Sequence, residues 1–344
     1  MPAGALVDQW DRRRVMILCD VGRLAAVSCI PVAMWIDALE LWQIYLVATI
    51  EGTFFVFYNV AEVAALPRVV PQEQLPEATA QNMAAFSAAS VAGPSFGTLL
   101  YDSVGRAAPF VFDALTYLAS AVSVLFIRTP FHKEAPAPVG HLGAQILEGL
   151  RWLWGRPLIR TMAFLTGGIN FVNAATPLLL IVLAKQMNAS DFDIGLMFSI
   201  GGVGGVIGSF FAARVQRRFS FGQAIIFIIW AQALLFPLYL VAPNVWLLGA
   251  VFSAMYLLGP IYNVVQFSYR VALIPDALQG RVNSVFRLLA FGFLPLGAAL
   301  CGVLLEHAGT GGTVAFFGVA YVALAAWAAC SRPVREAPAF GAAA

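Results

Sequence analysis

The chain has 344 residues, 60% of them hydrophobic and only 11% charged, with a net charge of +2. A soluble domain carries about 25% charged residues, so this composition excludes a soluble enzyme, a disordered chain and a coiled coil, and the small net charge gives no reason to expect nucleic-acid binding. The four cysteines (Cys19, Cys29, Cys301 and Cys330) lie inside apolar runs, without disulfide or metal-ligand spacing, and read as small apolar fillers.

A membrane helix needs roughly 20 mostly apolar residues. Ten runs qualify: 15–36, 41–65, 78–101, 108–127, 158–184, 192–214, 222–242, 245–268, 282–305 and 311–330. Breakers such as Pro71, Pro76, Pro243, Asn244, Gly309 and Gly312 separate them. Barrel strands, which alternate over about ten residues, do not fit these runs. With residues 1–14 on the cytoplasmic side, seventeen Arg and Lys residues fall inside and two, Arg106 and Lys185, fall outside. Positive residues favour the cytoplasmic face, so both termini are expected there.

The longest connection, 128–157, begins as a linker with Pro130, Pro136 and Pro138. It ends in a stretch that places Leu142, Ile146, Leu150 and Leu153 on one helical face, as expected of an amphipathic helix on the membrane surface.

The chain repeats itself at an offset of about 204 residues. Arg13-Arg14 returns as Arg217-Arg218, and Val70-Pro71 as Ile274-Pro275. The spans beginning at 41, 78 and 108 return close to 245, 282 and 312. The fifth and sixth spans have no upstream partner, so the repeat unit is six helices and the chain is expected to lack the first two of a twelve-helix design.

Two helical halves joined by a cytoplasmic loop point to a secondary transporter. The run from Gly4 through Asp8 to Arg12, Arg13 and Arg14 resembles the signature loop of the major facilitator superfamily, with a degenerate copy from Gly208 to Arg218. The stretch Asp8 to Ile17, and Leu66 to Pro71, resemble the branch of enterobactin (siderophore) exporters and macrolide-type drug exporters. Gly93, Pro94 and Gly97 fall where exporters of that superfamily carry a Gly-Pro element. Gln9 and Asp11 depart from the signature, and Ala48 stands where the family often has an embedded arginine.

The resemblance implies an all-α integral membrane protein of ten transmembrane helices, a major facilitator fold lacking its first two. Its parts would be a remnant four-helix bundle with the signature loop at 4–14 (1–127), a cytoplasmic linker (128–157), a six-helix bundle (158–330) and a cytoplasmic tail (331–344). It further implies gradient-driven efflux of small amphipathic molecules, of drug or siderophore type, by alternating access. The alternative is a truncated, non-transporting membrane protein or a decayed fragment. The expected setting is the bacterial cytoplasmic membrane, and the expected partners are a small-molecule substrate, protons and lipid. A monomer is expected, with no cofactor, metal or nucleic acid.

A charge inside a span costs about 2.5–3.5 kcal/mol on insertion scales and so needs a reason. Glu51, near the middle of the second span, shares a face with Phe55, Tyr58 and Glu62. It is either a proton or cation site on an open cavity, or a carboxylate bonded to a neighbouring helix. Thr166, Asn170, Asn173 and Pro177 share a face of the fifth span; Tyr262, Gln266 and Tyr269 share one of the eighth, with Asn263 beside them. In the resembled fold these helices line the cavity, so Glu51, Tyr58, Asn170, Asn173, Tyr262 and Gln266 are the substrate or coupling candidates. Asp20 and Arg23, three residues apart, are expected to partly neutralise each other in a structural role, and Asp113 to pair with a neighbouring helix. Glycines 201, 204, 205 and 208 should let helices approach closely.

Asp8 is expected to meet the start of the ninth span near Val282 and Asn283, and Arg12 or Arg13 to reach Glu62, forming a latch. Gly93 to Gly97 also matches a hydrolase elbow, but a strand-to-helix turn is missing and no acid–base set accompanies it. Neither Lys133 nor Lys185 sits in a phosphate-binding loop. An enzyme is not expected.

Overall fold

A computed structural model of the chain describes residues 10–71, 74–127, 142–275 and 278–337. Every regular element among them is a helix. These are α1 (Arg12–Trp35), α2 (Leu41–Val69), α3 (Leu75–Ser103), α4 (Ala108–Phe126), α5 (Leu142–Trp154), α6 (Pro157–Gln186) and α7 (Asp191–Arg218). There follow α8 (Phe221–Leu235), α9 (Leu238–Val241), α10 (Val245–Leu273), α11 (Gln279–Gly292), α12 (Leu294–Cys330) and α13 (Arg332–Arg335). A bilayer core offers no water to backbone groups, so an apolar chain satisfies them inside helices.

Among the described residues, eight segments are long and apolar enough to cross a membrane. One of the eight, Arg281–Cys330, holds both runs read from the sequence as separate spans, 282–305 and 311–330. No loop divides them: α12 breaks its direction at Gly309, whose φ of 66° and ψ of −174° suit glycine. The break near the middle of this stretch thus comes from one residue. The run 222–242 is also divided, because α8 ends at Leu235 and Pro237 opens the short α9. The run 78–101 lies within α3, several of whose side chains fall outside the described residues.

The chain forms two compact units, Met1–Ala89 with Phe96–Val139, and Ser90–Ser95 with Gly140–Ala344. In the first, α1 packs against α2 and α4. Val15, Met16 and Cys19 of α1 meet Ala61 and Ala65 of α2 and Val124 of α4; deeper in, Ala26, Val27 and Ile30 meet Val47 and Ala114. A Cβ on Gly22 would collide with the Phe54 ring, so glycine is what lets α1 and α2 close there. Large apolar side chains on the opposite faces, such as Tyr45, Leu115 and Phe126, are exposed, as a lipid-facing surface requires.

In the second unit, α7 lies on α10. A Cβ on Gly204 would come 2.1 Å from the Ser253 carbonyl oxygen, and one on Gly208 2.1 Å from that of Leu257. Gly201 and Gly205 face the rings of Phe252 and Tyr256 in the same way, so the glycine stripe read from the sequence is the contact line of two helices. Gly297 of α12 meets the Phe171 carbonyl of α6 at 2.0 Å from its would-be Cβ. The amphipathic α5 docks on α11: Leu153 is fully buried, a Cβ on Gly149 would lie 2.8 Å from the Arg281 carbonyl, and Glu148 pairs with Arg281 at 2.5 Å.

The repeat is visible in the helices themselves. Both α2 and α10 run for 29 residues and begin 204 apart, and α4 and α12 end 204 apart. Their neighbours repeat too. As α1 lies on α2 and α4, its counterpart α8 lies on α10 and α12.

Candidate functional site

In the first unit three helices each bring one polar side chain to a common point: Arg23 from α1, Glu51 from α2 and Tyr117 from α4. Arg23 donates to one Glu51 oxygen from Nε at 3.1 Å and from Nη2 at 2.5 Å, and donates to the Tyr117 oxygen at 2.7 Å. Tyr117 donates in turn to the same Glu51 oxygen at 3.3 Å. The guanidinium also lies 4.1 Å from the Tyr117 ring centre, within cation–π range. The Arg23 side chain is 12% exposed and that of Glu51 32%, so the pair is partly withdrawn from solvent.

This refines the expected neutralisation of Asp20 by Arg23, which stays within electrostatic reach of Asp20 but gives its direct bonds to Glu51 and Tyr117. A carboxylate on the facing helix lets the planar guanidinium bond with two nitrogens, while the flat face stacks on a phenol, which a neighbour three residues back on the same helix does not offer. Glu51 is therefore tied to its own unit by two helices. Tyr117 escaped the sequence reading, although a phenol in an apolar run signals a need for a polar partner.

About one turn from this cluster lies Asp20, 1% exposed, whose Oδ2 has no hydrogen-bond partner. Ser120 of α4 neighbours it, and the Ser120 hydroxyl lies 3.3 Å from that of Tyr58. Glu62 is half-buried on α2 and close enough to Asp20 to interact electrostatically. Asp113 is exposed on α4; among the described residues it forms no ion pair within 4 Å, but it lies within electrostatic reach of Arg23 on the neighbouring α1.

In the second unit, three of the four candidates hold helices together. The Tyr262 hydroxyl of α10 is 2.8 Å from that of Thr166 on α6. Asn170 donates to the Ala290 carbonyl of α11 at 2.8 Å. Asn173 accepts from the Tyr321 hydroxyl of α12 at 2.7 Å. Gln266 differs: it is 4% exposed and its Nε2 is buried without a partner. One turn on, Arg270 is 5% exposed, with its guanidinium 3.8 Å from the Phe286 ring centre. Arg270 is one of the seventeen cations placed on the cytoplasmic side by the sequence. Its place at the end of an otherwise apolar helix was the available signal.

Gly4 and Asp8 of the signature loop lie outside the described residues. Asp11, the departure from the signature, caps α1 by accepting from the Arg13 backbone nitrogen at 2.9 Å. The Arg13 side chain does not go to Glu62; its Nη2 donates to the Leu125 carbonyl at 2.5 Å. That carbonyl belongs to the last turn of α4, where unsatisfied oxygens attract cations. Arg12 is half-buried in the first turn of α1. Gly93, Pro94 and Gly97 lie within an unbroken α3, and a Cβ on either glycine would meet nothing within 4 Å.

The family model described as Major Facilitator Superfamily matches residues 1–259. The chain belongs to the major facilitator superfamily. Like other proteins of this superfamily it is a multi-pass membrane transporter for small molecules, not an enzyme. It is similar to the enterobactin exporter EntS of Shigella boydii serotype 18, with 26% identity over 313 residues, 88% of this chain and 72% of that protein. Its fold is similar to that of the nucleoside transporter NupG, with a TM-score of 0.78 at 14% identity, covering 95% of this chain and 86% of the other. It is also similar to an inward-facing bacterial homologue of the iron transporter ferroportin, with a TM-score of 0.66 at 15% identity over 94% and 85% of the two chains. At those identities the two structures speak for the superfamily fold alone.

Proposed function

We propose that this major facilitator protein is a secondary active exporter of small amphipathic molecules, of siderophore or drug type, in the bacterial cytoplasmic membrane. A proton gradient drives it as an antiporter, it works as a monomer with both termini cytoplasmic, and its units alternate access to the two sides. The observation that carries this reading is the similarity to the enterobactin exporter across 88% of the chain. The arrangement of polar groups within apolar helices supports it: an intramembrane charge is costly and so marks a pathway or a relay.

Within this reading Glu51 responds to cargo or protons as part of the Arg23–Glu51–Tyr117 cluster, not as a free acid. Tyr58, Asn170, Asn173 and Tyr262 contact cargo only by yielding their present hydrogen bonds, whereas Gln266 has a donor to offer at once. The signature-loop residues Gly4, Asp8, Arg12, Arg13 and Glu62 bias the gate, and Gly93, Pro94 and Gly97 form the exporter element. Parts 1–127, 128–157, 158–330 and 331–344 serve as first bundle, linker, second bundle and tail.

The test is enterobactin transport in proteoliposomes containing the purified chain, with an imposed pH gradient. Uptake that depends on the gradient and collapses with a protonophore supports the proposal. Absence of gradient-dependent movement of both enterobactin and ethidium overturns it.

A further inference from the structure

We propose that Asp20 is a proton-binding site of the first unit, carrying a proton in the arrangement described here and exchanging it when the surrounding helices part. As a coupling site it rests on the proton-driven reading above; as a site of protonation it does not.

The argument begins with what surrounds the carboxyl. Asp20 is 1% exposed, inside a helix that qualifies as a membrane span. An ionised carboxylate is only an acceptor and needs donors or a cation. The Asp20 Oδ2 has no hydrogen-bond partner at all. On its own helix, Cys19 is buried beside it, and Arg23, one turn on, is the cation within electrostatic reach. Arg23 spends its Nε and Nη2 on Glu51 and Tyr117. From α2, Tyr58 and Glu62 face Asp20; the first is shared with Ser120, and the second brings a like charge. From α4 comes the Ser120 hydroxyl. Among the described residues the first unit thus has two layers: one in which Arg23 is bound to Glu51, with Asp113 in electrostatic reach of the same guanidinium, and an acidic one, Asp20 with Glu62, that forms no ion pair of its own.

Burying a carboxylate with one unpartnered oxygen near another carboxylate is unfavourable, and the usual escape is to take up a proton. The neutral acid also becomes a donor. In the proposed step the O–H bond of Asp20 breaks, and its proton passes to water or to Glu62 as the site opens. The carboxylate left behind draws on Arg23, so deprotonation competes with Glu51 for the same guanidinium. That competition links the acidic layer to the ion pair above it.

The experiment is infrared difference spectroscopy on the purified full chain in lipid, with and without heavy-carbon-labelled aspartate, as pH is raised. The expected result is a protonated-carboxyl band that shifts with the label, disappears reversibly at high pH, is absent from Asp20→Asn and survives in Asp113→Asn. Ser120→Ala should shift the band by removing a donor, and this serves where Asp20→Asn does not fold. No labelled band, a band lost in Asp113→Asn, or one unchanged at any pH overturns the proposal. In proteoliposomes, Asp20→Asn should keep enterobactin exchange without a gradient and lose gradient-driven accumulation. If the wild type moves no enterobactin, the export reading fails while the spectra still decide the proton site.

Discussion

Arg23 and Glu51, on facing helices α1 and α2, meet through two bonds to a single carboxylate oxygen, and this oxygen also receives the Tyr117 hydroxyl. The first unit therefore has a charged pair at its heart whose members come from different spans.

Breaking that pair from one side should be worse than removing it. Glu51→Leu or Arg23→Met alone leaves a charge without its partner, a loss of about 3–5 kcal/mol when fully buried. Glu51 is a third exposed, so roughly half of that is expected here. The double variant should recover most of the loss. Unfolding of the detergent-solubilised protein across the four members of the cycle measures it, and additive losses would show that the two residues act independently.

The glycine line between α7 and α10 makes a contrast within one helix pair. Gly208→Ala forces a methyl against the Leu257 carbonyl and should destabilise by about 1–3 kcal/mol. Gly259→Ala, where a Cβ meets nothing within 4 Å, should be neutral or stabilise by about 0.5–1 kcal/mol through helix propensity. Equal effects of the two on thermal unfolding would count against close packing as the reason for the stripe.

Gln266 separates structural from functional roles. Its buried, unpartnered Nε2 destabilises the protein, so Gln266→Leu should leave stability unchanged or raise it by about 1 kcal/mol. Enterobactin transport should nevertheless weaken, chiefly as a higher KM. By contrast Tyr321→Phe, which removes the Asn173 bond, should cost about 0.6 kcal/mol of stability. Transport by Gln266→Leu at the wild-type KM would remove it from the substrate contacts.

The docking of α5 depends more on shape than on charge. Gly149→Val should push the helix from α11, because its side chain has no room beside the Arg281 carbonyl. Glu148→Gln should matter little, since both partners are more than a third exposed and such pairs are worth about 0–1 kcal/mol. Limited proteolysis between the units reads the difference: faster cleavage in Gly149→Val only is the expected outcome.

Much of the architecture was legible in the residues. The spans follow from apolar run length, a local property that sums along the chain, and the 204-residue repeat returned as matched bounds of α2 and α10. The close approach of α7 and α10 followed from glycines at helical spacing, since a missing Cβ has the same consequence wherever it lies. Less legible were the joints, where Gly309 bends one helical stretch in place of a loop, because a breaker residue marks an interruption without specifying its geometry.

Partner choice was decided only in three dimensions. The residue types placed Arg23, Asp20 and Glu51 within apolar spans, and sequence distance favoured Asp20 as the arginine's partner. The folded chain gives Arg23 to Glu51 and Tyr117 instead and leaves Asp20 buried without a partner for Oδ2. Likewise Asn170, Asn173 and Tyr262 go to Ala290, Tyr321 and Thr166. Hydrophobicity and periodicity are properties of one segment and can be read from it. An ion pair or a buried hydrogen bond is instead a competition among groups on several helices, and its outcome depends on which side chains the packing brings within about 3 Å of one another.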